Sequence, residues 1–270
     1  MALVNERRTL SARAIATGNE KLQTGSAMQA IAVIPARLQS TRLARKMLRE
    51  IAGQPLIAHV YGAVRRCSQL DEVIIATDSD EILRLCERQG FHARRTSAEC
   101  RNGTERVHEI AKSSTADLFV NVQGDELLVR SEHIVALLGL MRDSRVQVGT
   151  LQVRAAPDDI ENPNAVKVTT DNAGNALYFS RAMIPYDRDG VGPAYFKHLG
   201  MYVYRKAALE RYARLPESPL EKSERLEQLR FLENGIPIQV AETPFDTIRV
   251  DTEEDLRKAQ EVLEHRTPRG

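Results

Sequence analysis

The chain has 270 residues, a length that suits one large α/β domain with a sizeable core. Its 38 lysine and arginine residues nearly balance its 37 aspartate and glutamate residues, so no overall basic field indicates a nucleic-acid partner. Three isolated cysteines argue against a disulfide framework or a zinc knuckle, and the sequence has no apolar run near the roughly 20 residues that span a bilayer. We therefore expect a cytoplasmic protein that neither binds nucleic acid nor inserts into a membrane.

Residues 1–28 are polar and have no sustained apolar period. We interpret them as a flexible N-terminal extension that precedes a single domain over residues 29–270. The segment has no continuous apolar stretch of the kind that a secretory signal needs. Glu6 and Glu20 are also unusual for a transit peptide, because such peptides are poor in acids.

The first predicted strand is the apolar run at residues 31–34, and the loop after it carries four cations. These cations are Arg37, Arg42, Arg45 and Lys46. Open α/β sheets bind ligands beyond the carboxyl ends of their strands, and Arg and Lys side chains in such a loop can hold a polyphosphate. A solvated surface loop is the alternative interpretation of the same residues.

Helix and strand alternate after this loop. The predicted elements are a helix from Pro55, a strand at residues 73–77, a helix from Asp78 or Ser79 to Gly90, a helix after residues 102–104 and a strand at residues 118–122. This order predicts a mostly parallel central sheet flanked by helices.

The pattern changes to extended runs from about Val148. The predicted elements are β-ribbons at residues 148–153, 165–169 and 176–180 with a turn at residues 172–175, helices at residues 207–214 and 221–234, a strand at residues 236–240 and an amphipathic helix from Asp251. We expect the ribbons to form a smaller region beside the parallel sheet.

Two carboxylates are candidate metal ligands. Asp125 follows the strand at residues 118–122, and Gly124 lets the backbone come close to a ligand there. A carboxylate at this position suits Mg²⁺, which takes one or two protein carboxylates and fills its other positions with water and phosphate. A turn or N-cap aspartate is the alternative. Asp251 fits an N-cap with Glu254 at N3, and only a return of its strand end toward Asp125 would make it a ligand.

Eight segments together point to one family. They are residues 34–43, 102–106 (NGTER), 121–126 (NVQGDE), 162–168 (NPNAVKV), 176–189 (ALYFSRAMIPYDRD), 197–205 (KHLGMYVYR), 218–230 (SPLEKSERLEQLR) and 250–256 (VDTEEDL). In this order they resemble the 3-deoxy-manno-octulosonate cytidylyltransferase (CMP-Kdo synthetase) family over about residues 30–265. The resemblance implies a Rossmann-like nucleotide-diphospho-sugar transferase fold and a homodimer, with residues 148–205 as the acceptor-binding and dimerisation subregion.

The resemblance also implies a reaction. The family transfers CMP from CTP to the anomeric C2 hydroxyl of 3-deoxy-manno-octulosonate (Kdo), giving CMP-Kdo and pyrophosphate for lipopolysaccharide synthesis. A modified octulosonate such as 8-amino-Kdo, or another acid, is the alternative acceptor. A nucleotide-binding protein without catalysis and a glycosyltransferase that uses a nucleotide sugar remain as other classes, and release of pyrophosphate separates the latter.

The residue roles that the resemblance implies fall into three sets. The catalytic and triphosphate-binding residues are Arg37, Arg42 and Lys46, with Asp125 and Asp251 as Mg²⁺ ligands. The further nucleotide-binding residues are Gly103, Thr104, Arg106 and Gln123. The acceptor-binding residues are Gln123, Arg181, His198, Tyr202, Glu227 and Gln228.

Several of these acceptor residues have a plainer interpretation. Arg181 suits an acceptor carboxylate but also suits a nearby acid, and His198 suits a core histidine with satisfied hydrogen bonds. On a helix at residues 221–234, Glu227 would continue an acidic row of the kind that is usually solvated, so at most one of Glu227 and Gln228 would reach the site. The tyrosines Tyr186, Tyr202 and Tyr204 are expected to pack and to present only a hydroxyl.

The chain departs from the family pattern at three places. Ala44-Arg45 replaces a usual Pro-Gly pair, Leu127 replaces a usual proline and Tyr186 replaces a usual tryptophan. These changes concern loop closure and acceptor identity more than fold or reaction class. We expect the Arg45 side chain to point away from the cleft.

Overall fold

The computed structural model describes residues 28–38 and 43–266. Nearly all of the predicted N-terminal extension therefore lies outside the described residues, and so does Arg42 of the cationic loop. Met28, the last residue of that extension, is described and packs against the hydrophobic core.

The strands are β1 (Ala30–Ala36), β2 (Glu50–Ile51), β3 (Gln54–Pro55), β4 (Glu72–Thr77), β5 (Ala93–Arg95), β6 (Leu118–Val122), β7 (Glu126–Leu127), β8 (Val148–Arg154), β9 (Lys167–Thr170), β10 (Ala176–Ser180), β11 (Phe196–Arg205), β12 (Ile238–Glu242) and β13 (Ile248–Arg249). The α-helices are α1 (Leu56–Arg65), α2 (Asp80–Gln89), α3 (Gly103–Lys112), α4 (Ser131–Leu140), α5 (Pro157–Ile160), α6 (Lys206–Arg214), α7 (Pro219–Glu224), α8 (Leu229–Glu233) and α9 (Glu253–Arg266). A short 3₁₀ turn covers Lys46–Leu48.

A nine-stranded sheet forms the centre of the fold. Strand β1 pairs in parallel with both β4 and β6, and β4 pairs in parallel with β5, as the alternation of helix and strand predicts. Buried apolar side chains pack on both faces of this sheet, which is why its central strands are continuous hydrophobic runs. The predicted mostly parallel α/β sheet flanked by helices is confirmed.

The segments predicted as β-ribbons extend this same sheet. Strand β11 pairs antiparallel with β8 along one side and with β6 along the other, and on this second side Lys197 also pairs with Lys167 of β9. Strand β12 then adds to β8 in parallel. The segment around β11, which is predicted to bind the acceptor, is therefore fixed directly to the parallel half of the sheet, because main-chain hydrogen bonds join β11 to β6.

Local capping signals set the starts of two central helices. The Ser79 hydroxyl accepts a hydrogen bond from the Ile82 backbone at the start of α2, and Gly90 ends that helix in the left-handed conformation at φ 68°. The Asn102 side chain caps α3 by accepting from the Glu105 backbone at 2.9 Å. These boundaries agree with the prediction.

The single helix predicted at residues 221–234 is wrong. Arg225 adopts the left-handed conformation at φ 56° and ends α7, so a turn separates α7 from α8. The predicted solvated acidic row is wrong as well, because Glu221 is buried and bonds Arg230 through both of its carboxylate oxygens at 2.6 Å. This buried pair joins the two short helices.

Two strand boundaries also differ from the prediction. The segment predicted to begin at residue 165 starts as a strand only at Lys167, because the Ala165 backbone donates to Asn162 in a turn. The strand predicted from residue 236 starts at Ile238, because Ile236 still donates back to Phe231 at the end of α8. No helix within the described residues is long and apolar enough to cross a membrane.

Candidate active site

The candidate site lies beyond the carboxyl ends of three adjacent parallel strands. Arg37 follows β1, Asp78 follows β4, and Gln123 to Asp125 follow β6. Adjacent parallel strands bring these positions to one edge of the sheet, where α/β folds place their ligands. The cationic loop and the predicted metal carboxylate thus share one crevice.

Lys46 joins the two predicted metal carboxylates. Its Nζ donates to Asp251 Oδ1 at 2.7 Å and also to Asp125 Oδ2. The side chains of Lys46 and Asp125 are buried, and that of Asp251 is mostly buried. Two carboxylates held around one ammonium form a site that already stabilises a cation between them.

The chain returns to Asp125 through a short antiparallel pairing. Strand β13 pairs with β7, and the Val250 backbone donates to the Asp125 carbonyl oxygen at 3.0 Å. The last helix begins after Asp251, since the Thr252 hydroxyl accepts from the Asp255 backbone at 3.1 Å. The N-cap interpretation of Asp251, and the helix start at that residue, are therefore wrong. The carboxylate of Asp251 instead reaches the site.

Gly124 sets the position of the lysine loop. A Cβ atom at Gly124 would lie 2.9 Å from the Pro35 carbonyl oxygen and 2.9 Å from Met47 Sδ. Only glycine permits this approach, because both neighbours are firmly placed in the core. The 3₁₀ turn that carries Lys46 therefore packs directly beneath the Asp125 turn.

Arg249 is a charged member of the site that the sequence analysis missed. Its Nε lies 3.1 Å from Asp251 Oδ2 and 3.7 Å from Asp125 Oδ2. The Asp125 carboxylate is the main cause that raises the pKa of Arg249 above its usual value, and Asp251 adds to it. Arg249 and Asp251 are two residues apart beside a strand, a spacing that places side chains on the same face. That spacing was the available signal.

Helix α3 brings its first residues to the same crevice. A Cβ atom at Gly103 would lie 2.7 Å from Gln123 Nε2, so the two segments meet closely there. The Thr104 backbone donates to Glu227 Oε2 at 3.1 Å, and its hydroxyl lies 3.1 Å from the Tyr204 hydroxyl. Burial raises the pKa of Glu227. The turn between α7 and α8 thus presents Glu227 to the site.

Arg37 and Arg106 make this end of the crevice positive. Arg37 donates to the Cys100 carbonyl oxygen, and burial together with the charge of Arg106 lowers the pKa of Arg37. Arg106 is fully buried, donates to Thr96 and lies 3.6 Å from Asp78 Oδ1. This burial favours a supporting role for Arg106, in which its charge acts beside Arg37. Two guanidinium groups next to one aspartate suit a phosphate-bearing ligand.

His198 and Tyr202 occupy neighbouring positions on β11. His198 Nε2 lies 2.9 Å from the Thr150 hydroxyl, and burial lowers the pKa of His198 to about 3. Its ring packs at an edge against Phe179 with centroids 4.9 Å apart. His198 is therefore a neutral, hydrogen-bonded core histidine, and Tyr202 is buried beside it with ring centroids 5.3 Å apart. Burial raises the pKa of Tyr202 well above its usual value, although the charge of Arg249 opposes this shift, and the same charge adds to the lowering of the pKa of His198.

Arg181 lies at the end of β10. Its Nε donates to the Glu224 carbonyl oxygen at 2.8 Å, and its Nη1 donates to the Pro163 carbonyl oxygen at 3.0 Å. These contacts join the loop before β9 to the end of α7. Its acceptor-carboxylate role stays a prediction.

The remaining candidates separate into buried and exposed positions. Gln228 is buried at the start of α8, and Tyr204 is buried in the stack of β11. The expectation that Tyr186 packs is wrong, because its side chain is 79% exposed in the loop after β10. Arg45 pairs with Glu81 and is 60% exposed, so it points away from the carboxylates as expected.

The two site carboxylates form a small donor set. Within residues 28–38 and 43–266, no group of three or more His, Cys, Asp or Glu side chains is arranged to hold a metal. Asp125 and Asp251 converge on one cation, and Mg²⁺ needs only one or two protein carboxylates when phosphate and water complete its shell. The residues present therefore fit a magnesium ion that arrives with a phosphate ligand.

Comparison with known proteins agrees with this geometry. The family model described as cytidylyltransferase matches residues 31–242. A 3-deoxy-manno-octulosonate cytidylyltransferase of Koribacter versatilis is 59% identical over 91% of this chain and 94% of its own length. One from Acidobacterium capsulatum is 55% identical over 88% of this chain and 98% of its own length.

A solved structure supports the same assignment. The structure of CMP:2-keto-3-deoxy-manno-octonic acid synthetase complexed with CTP aligns with a TM-score of 0.84 and 36% identity. The alignment covers 88% of this chain and 100% of that one. The chain therefore belongs to the cytidylyltransferase family, among the 3-deoxy-manno-octulosonate cytidylyltransferases.

Proposed function

We propose that the protein transfers CMP from CTP to the anomeric C2 hydroxyl of 3-deoxy-manno-octulosonate and releases pyrophosphate. The observation that carries this proposal is the meeting of Lys46, Asp125 and Asp251 at the carboxyl end of the sheet. The family membership supplies the substrates, since relatives at 59% and 55% identity are named for this reaction. In the reaction, a bond forms between the acceptor oxygen and the α-phosphorus, and the bond from that phosphorus to the β-phosphate oxygen breaks.

The chain's own cations are suited to the triphosphate. Arg37 lies at the end of β1 with the buried charge of Arg106 beside it, and Lys46 lies at the far end of the loop that Arg37 begins. Transfer of a phosphoryl group depends on in-line positioning and on neutralisation of charge rather than on covalent help from the protein. Arg42 belongs to the same proposed set, although it lies outside the described residues.

Asp125 and Asp251 are the proposed magnesium ligands. When bound, the ion would neutralise charge on the attacking and leaving oxygens. The two aspartates would hold it next to Lys46, while Gly124 keeps the Asp125 turn packed against the lysine loop. Because Lys46 is buried with them, it stays in place to stabilise negative charge on the triphosphate.

The acceptor is proposed to lie along β11, between the carboxylates and the α7–α8 turn. His198 offers a neutral imidazole there, because its pKa of about 3 keeps it unprotonated at neutral pH. Glu227 and Gln123 border the same space at the start of α3. The neutral imidazole of His198 and the amide of Gln123 suit sugar hydroxyls, whereas Arg181 suits the acceptor carboxylate.

We propose in addition that the protein is a cytoplasmic homodimer that uses residues 148–205 for association. This range holds three large hydrophobic side chains that are exposed in the described part of the chain, namely Leu177, Tyr186 and Val191. Tyr186 and Val191 are each 79% exposed on one loop. Exposed apolar groups that cluster on a surface often mark an association site, and a two-fold dimer would bury them in a self-complementary interface.

An acceptor screen tests the proposed activity. The purified full chain is given CTP and Mg²⁺ with Kdo, 8-amino-Kdo or N-acetylneuraminate, and pyrophosphate is measured. We expect turnover with Kdo that exceeds turnover with the other acids. A preference for 8-amino-Kdo would favour the modified-acceptor alternative. Absence of pyrophosphate with every acid would contradict the proposed enzyme class.

A further inference from the structure

Two protein cations already engage the proposed magnesium ligands. Lys46 reaches Asp251 Oδ1 at 2.7 Å and also bonds Asp125 Oδ2. Arg249 Nε lies 3.1 Å from Asp251 Oδ2 and 3.7 Å from Asp125 Oδ2. Three of the four carboxylate oxygens therefore face a lysine or an arginine. A metal ion that uses these oxygens has to compete with both side chains.

The two cations differ in how firmly they are held. The Lys46 side chain is only 8% exposed, whereas the Arg249 side chain is 47% exposed. Water can solvate the Arg249 guanidinium more readily than the buried Lys46 ammonium, so Arg249 exchanges from the carboxylates at a lower cost than Lys46 does. Arg249 is thus the cation that can leave the carboxylates without the burial of an unpaired charge.

We propose that Arg249 competes with magnesium for Asp125 and Asp251, so that the ion enters the site together with the triphosphate rather than before it. This inference rests on the proposed role of the two aspartates as metal ligands. Arg249 is in this respect a positioning residue, because it sets the occupancy of the carboxylates and needs no contact with the reacting atoms.

Charge balance gives the physical reason. In the nucleotide-free protein, the two negative charges of Asp125 and Asp251 are matched by the positive charges of Lys46 and Arg249. A divalent ion alone would add two positive charges to these four side chains, whose charges already cancel, and it would therefore be repelled by Lys46 and Arg249. An ion that arrives with a triphosphate brings its own negative charge, and the displaced guanidinium can then pair with a phosphate or carboxylate oxygen.

Binding of Mn²⁺, measured by electron paramagnetic resonance, tests this proposal without any turnover. The titration compares the wild-type chain with Arg249→Gln and Arg249→Lys, each without CTP and with saturating CTP. Without CTP, we expect Arg249→Gln to bind Mn²⁺ about tenfold more tightly than the wild type, because one competing cation is gone. Arg249→Lys should stay within threefold of the wild type. With CTP, the difference between wild type and Arg249→Gln should fall below threefold.

Arg257→Gln is the matched control. It removes one positive charge from the exposed surface of α9, where Arg257 lies 3.8 Å from Glu261. We expect it to bind Mn²⁺ as the wild type does. Equal affinity in Arg249→Gln and wild type would overturn the competition, and so would an equal gain in Arg257→Gln. If Mn²⁺ bound to none of the proteins even with CTP, the metal site itself would be wrong. If it bound with CTP but never depended on Arg249, only the present inference would fail.

Discussion

Lys46 and Arg45 are adjacent in the chain but face different surroundings. The Lys46 ammonium is buried between Asp125 and Asp251, whereas Arg45 is exposed and pairs with Glu81 on α2. Arg45 also adopts the left-handed conformation at φ 54°, at the position where the resembled family has glycine. Arg45 thus takes a conformation that glycine adopts at no steric cost, and its added cation points outward.

This difference predicts opposite results for two neighbouring substitutions. Lys46→Ala should lower kcat/KM for CTP by on the order of 100-fold, equivalent to about 2.7 kcal/mol, because it removes the buried charge that we propose binds the triphosphate. Arg45→Ala is its control and should change kcat/KM by less than twofold, since an exposed ion pair contributes little. Steady-state kinetics with varied CTP measures both. A tenfold loss of CTP affinity in Arg45→Ala would instead place Arg45 on the triphosphate.

His198 makes stability depend on pH in a defined direction. Burial lowers its pKa to about 3 in the folded chain, against an unfolded value of 6.5. As the pH falls through 6.5, the unfolded chain takes up a proton that the folded chain refuses, so stability is lost on acidification. Between pH 7.5 and pH 5.5 this linkage amounts to about 1.4 kcal/mol.

Urea unfolding at these two pH values measures the effect. For each protein, the free energy of unfolding at pH 5.5 is subtracted from that at pH 7.5. This difference should be about 1.4 kcal/mol larger for the wild type than for His198→Gln. His265→Gln, on the exposed end of α9, should keep the wild-type dependence. An unchanged pH dependence in His198→Gln would mean that the buried imidazole is not the proton-linked group.

At the scale of elements, the buried pair between α7 and α8 holds the turn that we propose borders the acceptor. Glu221 and Arg230 are bonded through two contacts of 2.6 Å, and the turn that they flank carries Glu227 and Gln228. Glu221→Gln should lower the free energy of unfolding by about 3 kcal/mol, because it leaves a fully buried guanidinium without its main carboxylate. Urea denaturation measures the change.

The exposed neighbour Lys222 provides the comparison for this element. Lys222→Ala lies on the same helix, and we expect it to change stability by less than about 0.5 kcal/mol. A loss under 1 kcal/mol in Glu221→Gln would show that the pair is dispensable for joining α7 to α8.

Apolar runs and capping residues predict most helices and strands of this sequence. They do not predict the break between α7 and α8. The strand at Glu72–Thr77 has a continuous apolar run at residues 73–76, and the next helix is capped by the Ser79 side chain and by the Gly90 backbone. In contrast, the apolar spacing of Leu226 and Leu229 suggests one helix through Arg225. The structure has two short helices instead. The Glu221–Arg230 pair and the packing of α8 in the core hold them in place, and these tertiary contacts cannot be predicted from local spacing.

The candidate site likewise combines residues that local sequence predicts with residues that only the tertiary structure brings in. The loop lysine and Asp125 could be predicted, because both follow apolar strands at recognisable positions. The convergence of Asp251 could not be predicted from the residues themselves, because it depends on the pairing of β13 with β7, in which Arg249 lies opposite Glu126, 123 residues away in the chain. Arg249 was missed for this reason, since its importance comes only from where that strand lies.

At the scale of the whole molecule, association through residues 148–205 predicts a dimer. Light scattering after size-exclusion chromatography should give a mass near twice the 30.3 kDa of one chain at micromolar concentration. Tyr186→Glu combined with Val191→Asp should shift the mass toward a single chain, because charges would enter an apolar interface.

Leu220→Asp is the control for association. Leu220 is also an exposed hydrophobic residue, but it lies outside residues 148–205, so the variant should remain dimeric. A single-chain mass for the unaltered protein, or an equal shift in Leu220→Asp, would contradict the proposed interface.

The central claim is that Asp125 serves the transfer of CMP to an octulosonate at this site. Phosphorus NMR of the full chain with CTP, Mg²⁺ and Kdo tests it most directly, with circular dichroism to confirm that Asp125→Asn is folded. We expect a phosphodiester and pyrophosphate in equal amounts from the wild type, and a rate lower by on the order of 1,000-fold in Asp125→Asn, since its amide is a poor ligand for the ion. Full turnover by folded Asp125→Asn, or release of orthophosphate in place of pyrophosphate by the wild type, would contradict it.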